Sequence, residues 1–260
     1  MDYLKKIDQP ETIKQELLWN IPEQKQGDVN IIGGNGQSFR TPVKVAEYLE
    51  ANYPVKNVNL VLPDALKSKL PPLPNLRFLT STDSGSFASG DELKLAFEAV
   101  DFNLLIGDIS KNSITAEAVT NACFGSGAPV LITRDAVDAV AEKATERLLM
   151  NEKLILMASM PQLIKLFRAV YYPKMILLGQ PLIQVAEALH KFTLSYPAQI
   201  ITLHDGQVLV ANNGNVVTVP LEKTDYSPLS FWMGELASKI VAMNMYNPNN
   251  FEKAVVASLV

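Results

Sequence analysis

From about residue 29 the chain alternates short, unbroken apolar runs with segments whose apolar positions recur at helical spacing. The runs fall at 29–32, 58–62, 76–79, 102–106, 129–133 and 154–157. They are continuous, not alternating, which is the pattern of strands covered on both faces and therefore of a parallel sheet flanked by helices. Between them the spacing predicts helices at 42–53, 91–100, 114–125, 135–150, 161–170 and 181–196. The pattern then changes. Three short β runs, 200–204, 207–212 and 216–220, are separated by Asp205-Gly206 and Asn213-Gly214, dipeptides that favour tight hairpin turns. They predict an antiparallel meander at an edge of the parallel sheet. A helix over 228–246 follows, apolar on nearly all sides, ended by Asn247-Pro248, and a last helix spans 250–259. The expected architecture is a three-layer α/β/α domain over residues 1–260, with residues 1–28 as an N-terminal helical extension.

Local signals mark the boundaries. Thr41-Pro42 and Ser227-Pro228 each read as an N-cap followed by proline at the first helical position. Pro71-Pro72 with Pro74 forms a stiff connector. The segment 81–90 (STDSGSFASG) reads either as a mobile loop or as a merely solvated one.

Composition narrows the function classes. The chain has 23 Lys and Arg against 27 Asp and Glu, a net charge of -4, and its one adjacent basic pair is Lys5-Lys6. No phosphate-tracking stripe exists, so nucleic acid is not an expected partner. The N-terminus has no apolar leader core, and no stretch approaches the roughly 18 apolar residues of a membrane span. The lone Cys123 has no partner for an intrachain disulfide or a zinc cluster and reads as a buried small hydrophobe. A cytoplasmic location is therefore expected. A charged fraction of 19% leaves a thin charged surface, which makes a homo-oligomer the expected state.

The densest chemical signal is Gly33-Gly34-Asn35-Gly36-Gln37-Ser38, between a strand and a helix. Glycines let backbone approach a ligand, and consecutive N–H groups can cradle an anion. The stretch matches neither the G-x-G-x-x-G nor the Gly-Lys-Ser/Thr fingerprint, so an anion-facing loop and a structural turn stand level. His190 and His204 lack the spacing of a metal site, no G-x-S-x-G elbow occurs, and Gly125-Ser126-Gly127 reads as a helix stop. Carboxylates are the remaining acid/base candidates. Asp108 and Asp135 follow buried strands and could share a cleft with the 33–38 loop, while each alone also fits a helix cap; Glu235 follows Gly234 inside the late helix.

These elements, in this order, resemble the ADP- or ATP-dependent NAD(P)H-hydrate dehydratases of the ribokinase-like superfamily. IIGGNGQSFRTPVKVAEYLEANY and VNLVLP stand where that family has its opening strand with G-G-S, an alanine-rich helix and a strand leading to proline. LLIGDIS keeps Gly107 of a G-P-G-L-G strand end. PVLITRDAV keeps Asp135 of a D-A-D-A-L motif, with Thr133 in place of its first aspartate. Residues 157–162 (MASMPQ) lie where the family has T-P-H-P-G-E, with Ser159 and Gln162 replacing histidine and glutamate. Gly214-Asn215 matches a glycine-asparagine pair, and FWMGELA at 231–237 matches the glycine-rich turn that carries the catalytic aspartate. One register puts Glu235 on that aspartate; another puts Gly234 there.

The resemblance implies a ribokinase-like fold and use of ATP or ADP, with or without Mg2+, to dehydrate hydrated NAD(P)H: nucleotide phosphorylates the substrate hydroxyl and phosphate then leaves. It implies Glu235 as base, Gly234 as part of the anion hole, Gly33, Gly34 and Asn35 as a substrate-side loop and Asp135 as a cleft carboxylate. Gly107, Asp108, Gly214 and Asn215 complete the implied binding residues. The motif losses equally fit a non-catalytic relative that binds nucleotides or serves assembly. A small-molecule kinase of the same superfamily is the third reading.

Overall fold

The computed structural model describes residues 2–71, 75–124 and 126–260. In chain order the elements are β1 (Leu4–Lys6), α1 (Pro10–Leu18), β2 (Gln26–Gly33), α2 (Arg40–Asn52), β3 (Val55–Pro63), β4 (Leu76–Leu79), α3 (Gly90–Glu98) and β5 (Phe102–Gly107). Then come α4 (Ser113–Cys123), β6 (Val130–Thr133), α5 (Asp135–Glu142), α6 (Glu146–Leu149), β7 (Leu154–Met157), α7 (Met160–Ala169) and α8 (Leu182–Ser195). The chain ends with β8 (Gln199–His204), β9 (Gln207–Asn212), β10 (Asn215–Pro220), α9 (Glu235–Tyr246) and α10 (Phe251–Ser258).

The strands form one ten-stranded sheet in the order β1-β10-β9-β8-β7-β6-β5-β2-β3-β4. From β4 across to β8 every pairing is parallel. β9 then reverses between β8 and β10, as the Asp-Gly and Asn-Gly turns dictate. The apolar runs are buried on both sides because two cores flank the sheet. One packs α3, α4, α5, α7 and α8 against it; the other packs α2, α9 and α10. α1 covers α9 and α10 through a small cluster of Leu17, Met243, Ala254 and Ala257.

Polar residues interrupt three central strands for a structural reason. Asn59, Asn30 and Asn103 sit side by side on β3, β2 and β5. The Asn59 amide donates to Asn30 Oδ1 at 3.2 Å, and Asn30 Nδ2 donates to Asn103 Oδ1 at 3.0 Å and to Ala96 O at 2.8 Å. Asn103 Nδ2 donates to Phe97 O at 3.0 Å. The rung thus holds two carbonyls in the last turn of α3, where helix carbonyls run short of N–H partners; Ala96 O takes only a long bond from Ala99 N (3.4 Å) besides the rung.

Four expectations need correction. The N-terminal segment is not wholly helical: Leu4–Lys6 adds a strand parallel to β10, outside the meander. The helix expected at 135–150 is two: the first stops at Glu142, with Lys143 as its C-cap, and Thr145 caps the second by accepting from Leu148 N. Helix α2 begins at Arg40 with Phe39 as N-cap, so Thr41-Pro42 lie inside its first turn, where proline's missing N–H has no partner to lose. The helix expected from 228 starts instead at Glu235, because Gly234 is left-handed (φ 102) and divides it from a single 3-10 turn at Ser230–Trp232. Of the proline connector, Pro72 and Pro74 lie outside the described residues, as does Gly125 of the expected helix stop.

Candidate functional site

Parallel strands open their C-terminal ends toward one edge, and there the structure gathers most of the sequence candidates. Gly33, Gly107 and Gly234 surround Ile106 near the end of β5. A Cβ on Gly33 would stand 2.4 Å from Gly107 O and 3.0 Å from Ile106 Cγ2; one on Gly234 would stand 2.8 Å from Val45 of α2 and 3.0 Å from Ile106 Cδ1. Only glycine fits such approaches.

The 33–38 loop is a closed structural turn. Gly34 N donates to Gly107 O (2.9 Å), Asn35 N to Ser38 O (2.7 Å) and Gly36 N to Gly85 O (2.8 Å). Gln37 N and Ser38 N both donate to Asn35 Oδ1, at 2.8 and 3.1 Å. Asn35 Nδ2 reaches Asp108 O at 2.7 Å. Every N–H from 34 to 38 is therefore bonded within the protein. The 81–90 segment is part of the same scaffold: Phe87 is fully buried, Gly85 lies against Gly36, and Ser84 accepts from Asn112 Nδ2 at 2.8 Å.

Asp135 joins the ends of β5 and β6. Its carboxylate accepts from Asp108 N (2.8 Å) and Ile109 N (3.1 Å). Burial pushes its pKa above the ordinary value; the Asp108 charge adds to the rise, while the N–H donors and Arg134 oppose it. Arg134 pairs with Asp108 at 2.8 Å. It does so from a strained backbone (φ 58, ψ −140), a conformation that costs about 1–3 kcal/mol in a non-glycine residue. Gln162 supports that strain: Nε2 donates to Arg134 O at 2.7 Å and to Asp138 Oδ2 at 2.8 Å, and Oε1 closes a capping box with Ser159. Sequence reasoning passed over Arg134 and met Gln162 only as the replacement of a motif glutamate. The Ser-x-x-Gln spacing at 159–162 is the signal that finds the second.

The α9 N-terminus differs from the 33–38 loop. The N–H groups of 234–237 meet no acceptor among the described residues, and no side chain caps the helix. Gly234, Leu236 and Ala237 are nonetheless buried. Buried helix N–H groups without partners are rare, and they carry the positive end of the helix dipole. Glu235, the first helical residue, is exposed and takes a hydrogen bond from the Tyr48 hydroxyl of α2. Burial, with the Glu235 charge second, pushes the Tyr48 pKa up to about 12.

Gly214 and Asn215 are not brought to this site. β9 runs opposite to the parallel strands, so the turn after it lies at the other edge of the sheet. There Gly214 O bonds His190 Nδ1, Gly214 N donates to Thr193 Oγ1 at 3.1 Å, and His190 stacks on Tyr3. His204 Nε2 bonds Gln180 O at 2.7 Å. Cys123 is fully buried, and burial pushes its thiol up to about 12. No group of three or more His, Cys, Asp or Glu side chains among the described residues is placed to hold a metal ion. No helix among them is long and apolar enough to cross a membrane.

Comparison with solved structures identifies the fold. A ribokinase-like superfamily protein from Enterococcus faecalis superposes over 100% of this chain and 87% of its own, with a TM-score of 0.65 at 11% identity. The ADP/ATP-dependent NAD(P)H-hydrate dehydratase of Bacillus subtilis, co-crystallised with ATP/Mg2+ and soaked with CoA, matches 94% of this chain and 84% of its own (TM-score 0.57, 13% identity). A Bacillus subtilis pyridoxal kinase in an ADP complex matches 90% and 89% (TM-score 0.54, 12% identity). The chain has the ribokinase-like three-layer fold. No protein-family model and no curated protein sequence matches it.

Proposed function

We propose that this chain is a nucleotide-dependent enzyme of the ribokinase-like superfamily, and that its reaction is the ATP- or ADP-dependent dehydration of hydrated NAD(P)H. The observation that carries this is the start of α9, where four consecutive N–H groups, three of them on buried residues, lack an acceptor beside a left-handed glycine. Phosphate oxygens are the acceptors that such a helix start fits best. Gly234 through Ala237 would hold a nucleotide phosphate, and the bound nucleotide supplies the phosphoryl group that makes a hydroxyl a good leaving group. Mg2+ is commonly held by one or two carboxylates together with phosphate oxygens and water, and Glu235 offers one such carboxylate. As base, Glu235 leaves the Tyr48 hydroxyl and takes a proton from the substrate hydroxyl at a carboxylate oxygen.

A second reading, nucleotide binding without turnover, has its own support. Asp108 is paired with Arg134, Asp135 is bonded to backbone, and Glu235 is bonded to Tyr48, so each nearby carboxylate already has a structural partner. Thermal shift with ATP, ADP and NAD, followed by hydrated-NADH turnover read as recovery of reduced-nicotinamide absorbance, separates the two. A ligand at about 100 times its Kd stabilises by about 2.7 kcal/mol, a shift of several degrees here. Turnover lost in Glu235→Gln and kept in Asn215→Ala supports the dehydratase. A nucleotide shift without turnover supports the second reading, and no shift with any nucleotide overturns both.

A further inference from the structure

Asp108, which follows β5, and Arg134, which follows β6, both sit in the left-handed region (φ 57 and 58), although neither is glycine. They are bonded to each other: Arg134 Nη2 donates to Asp108 Oδ1 at 2.8 Å. Aspartate enters that region more readily than most residues, so Arg134 is the greater departure. The surroundings grip both backbones. Asp108 N donates to the Asp135 carboxylate (2.8 Å), and Asp108 O accepts from Asn35 Nδ2 (2.7 Å). Arg134 O accepts from Gln162 Nε2 (2.7 Å) and from Val137 N (3.1 Å). Unfavourable backbone that is over-determined in this way at a strand edge points to a pair held for use.

The pair has bonding capacity to spare. Among the described residues, Arg134 makes this one side-chain hydrogen bond, its Nε is buried with no partner, and Asp108 Oδ2 accepts none. The side chains are 27% and 11% exposed, largely withdrawn from water but still within a ligand's reach. A guanidinium donor thus stands beside a carboxylate acceptor, and a primary carboxamide carries the matching acceptor and donor on one planar carbon. Position narrows the ligand further. A Cβ on Gly107 would stand 3.2 Å from Arg134 Cβ, and one on Gly234 would stand 3.0 Å from Cδ1 of the preceding residue, Ile106. The pair and the open N–H groups of α9 therefore flank the end of β5, and a ligand lying across that end meets both.

We infer that Arg134 and Asp108 bind the carboxamide of the reduced nicotinamide ring, Arg134 donating to its carbonyl oxygen and Asp108 accepting from its N–H. This rests on the reading of the substrate as hydrated NAD(P)H, and it names the group by which that ring is recognised and turned toward the phosphate side. A carboxylate in place of the amide would set oxygen against the Asp108 carboxylate, so the pair also rejects the acid.

The probes are NADH and its nicotinate counterpart, in which a carboxylate replaces the carboxamide, titrated into the full chain by calorimetry, with ATP titrated separately. NADH should bind about tenfold more tightly than the nicotinate form. Asp108→Asn keeps a residue that is at ease in the left-handed region. Its Oδ1 would stay on Arg134 and turn Nδ2 toward the ligand, so NADH should weaken about tenfold and the nicotinate form should bind more tightly than it does to the unaltered chain. A misfolded variant cannot produce that gain. Arg134→Gln should weaken both forms about tenfold. ATP binding without NADH binding, ATP and NADH binding without preference for the amide, or a preference that survives Asp108→Asn overturns the inference while nucleotide binding stands. Absence of binding by ATP and by both dinucleotides overturns it together with the nucleotide reading.

Discussion

Two glycine-bearing turns meet near Ile106, and they do opposite things with their backbone. The turn after β2 is rich in glycine, yet all its N–H groups from 34 to 38 are bonded, to Gly107, Ser38, Gly85 and Asn35. The turn before α9 has a single glycine between bulky neighbours, Trp232 and Met233 on one side and Glu235 on the other, yet its donors have no acceptor among the described residues. Glycine density thus reports where backbone comes close, while ligand capacity depends on which donors the fold leaves open.

Substitutions can break this comparison. The largest effect is expected from Gly33→Ala: a Cβ 2.4 Å from the Gly107 carbonyl should destabilise the chain by more than about 3 kcal/mol in denaturant unfolding. In the fraction still folded at low temperature, the nucleotide thermal shift should survive, because no open donor is touched. Gly234→Ala meets the Val45 and Ile106 side chains, not backbone, at φ 102 and should cost about 2 kcal/mol. Unlike Gly33→Ala, it should also lose the nucleotide shift; a shift retained there would remove the distinction between the two turns.

Asp135→Asn sharpens the comparison through pH. It should cost about 1–2 kcal/mol by weakening the bonds to the Asp108 and Ile109 N–H groups. Because the folded pKa of Asp135 is raised, the native state binds the proton more tightly than the unfolded chain. Its contribution to stability is therefore full below the ordinary carboxylate value of 3.8 and falls as pH rises through the raised one. The advantage of the unaltered chain over Asp135→Asn should accordingly be larger near pH 4 than near pH 7 in paired urea titrations. The smallest effect is expected at the other edge, where Asn215→Ala, on an exposed residue, should change stability by less than about 0.5 kcal/mol and leave nucleotide binding unaltered.

Much of the fold was legible because it rests on periodicity. The strands at 76–79, 154–157 and 207–212 match the observed bounds, and the two hairpin dipeptides mark the turns that flank β9. β1 was not legible, since Leu-Lys-Lys is short and carries no two-sided apolar pattern; it is a strand only because β10 offers an edge. The start of α9 was misread because Ser227-Pro228 is a sound start signal, and the left-handed Gly234 overrides it seven residues later. The site was less accessible. The bonds that close the 33–38 loop come in part from Gly85 and Gly107, far away in sequence and tied to no repeat. Gly214 and Asn215 matched a motif by residue type, but a motif carries no strand direction, and the reversal of β9 moves them to the opposite edge. Arg134 was invisible as a site residue because its significance lies in a backbone angle.

The amide rung of Asn59, Asn30 and Asn103 has a consequence for how the molecule assembles. Its members come from three strands, and its outer bonds end on carbonyls of α3. Any partial structure that buries β2 before β3, β5 and α3 have arrived encloses amides with nothing to bond, at about 1–3 kcal/mol for each. Half-built versions of this sheet are thereby penalised, and so is a slipped strand that turns an asparagine toward α9. The rung acts as a checkpoint on assembly: β3, β2, β5 and α3 satisfy its amides only when they come together.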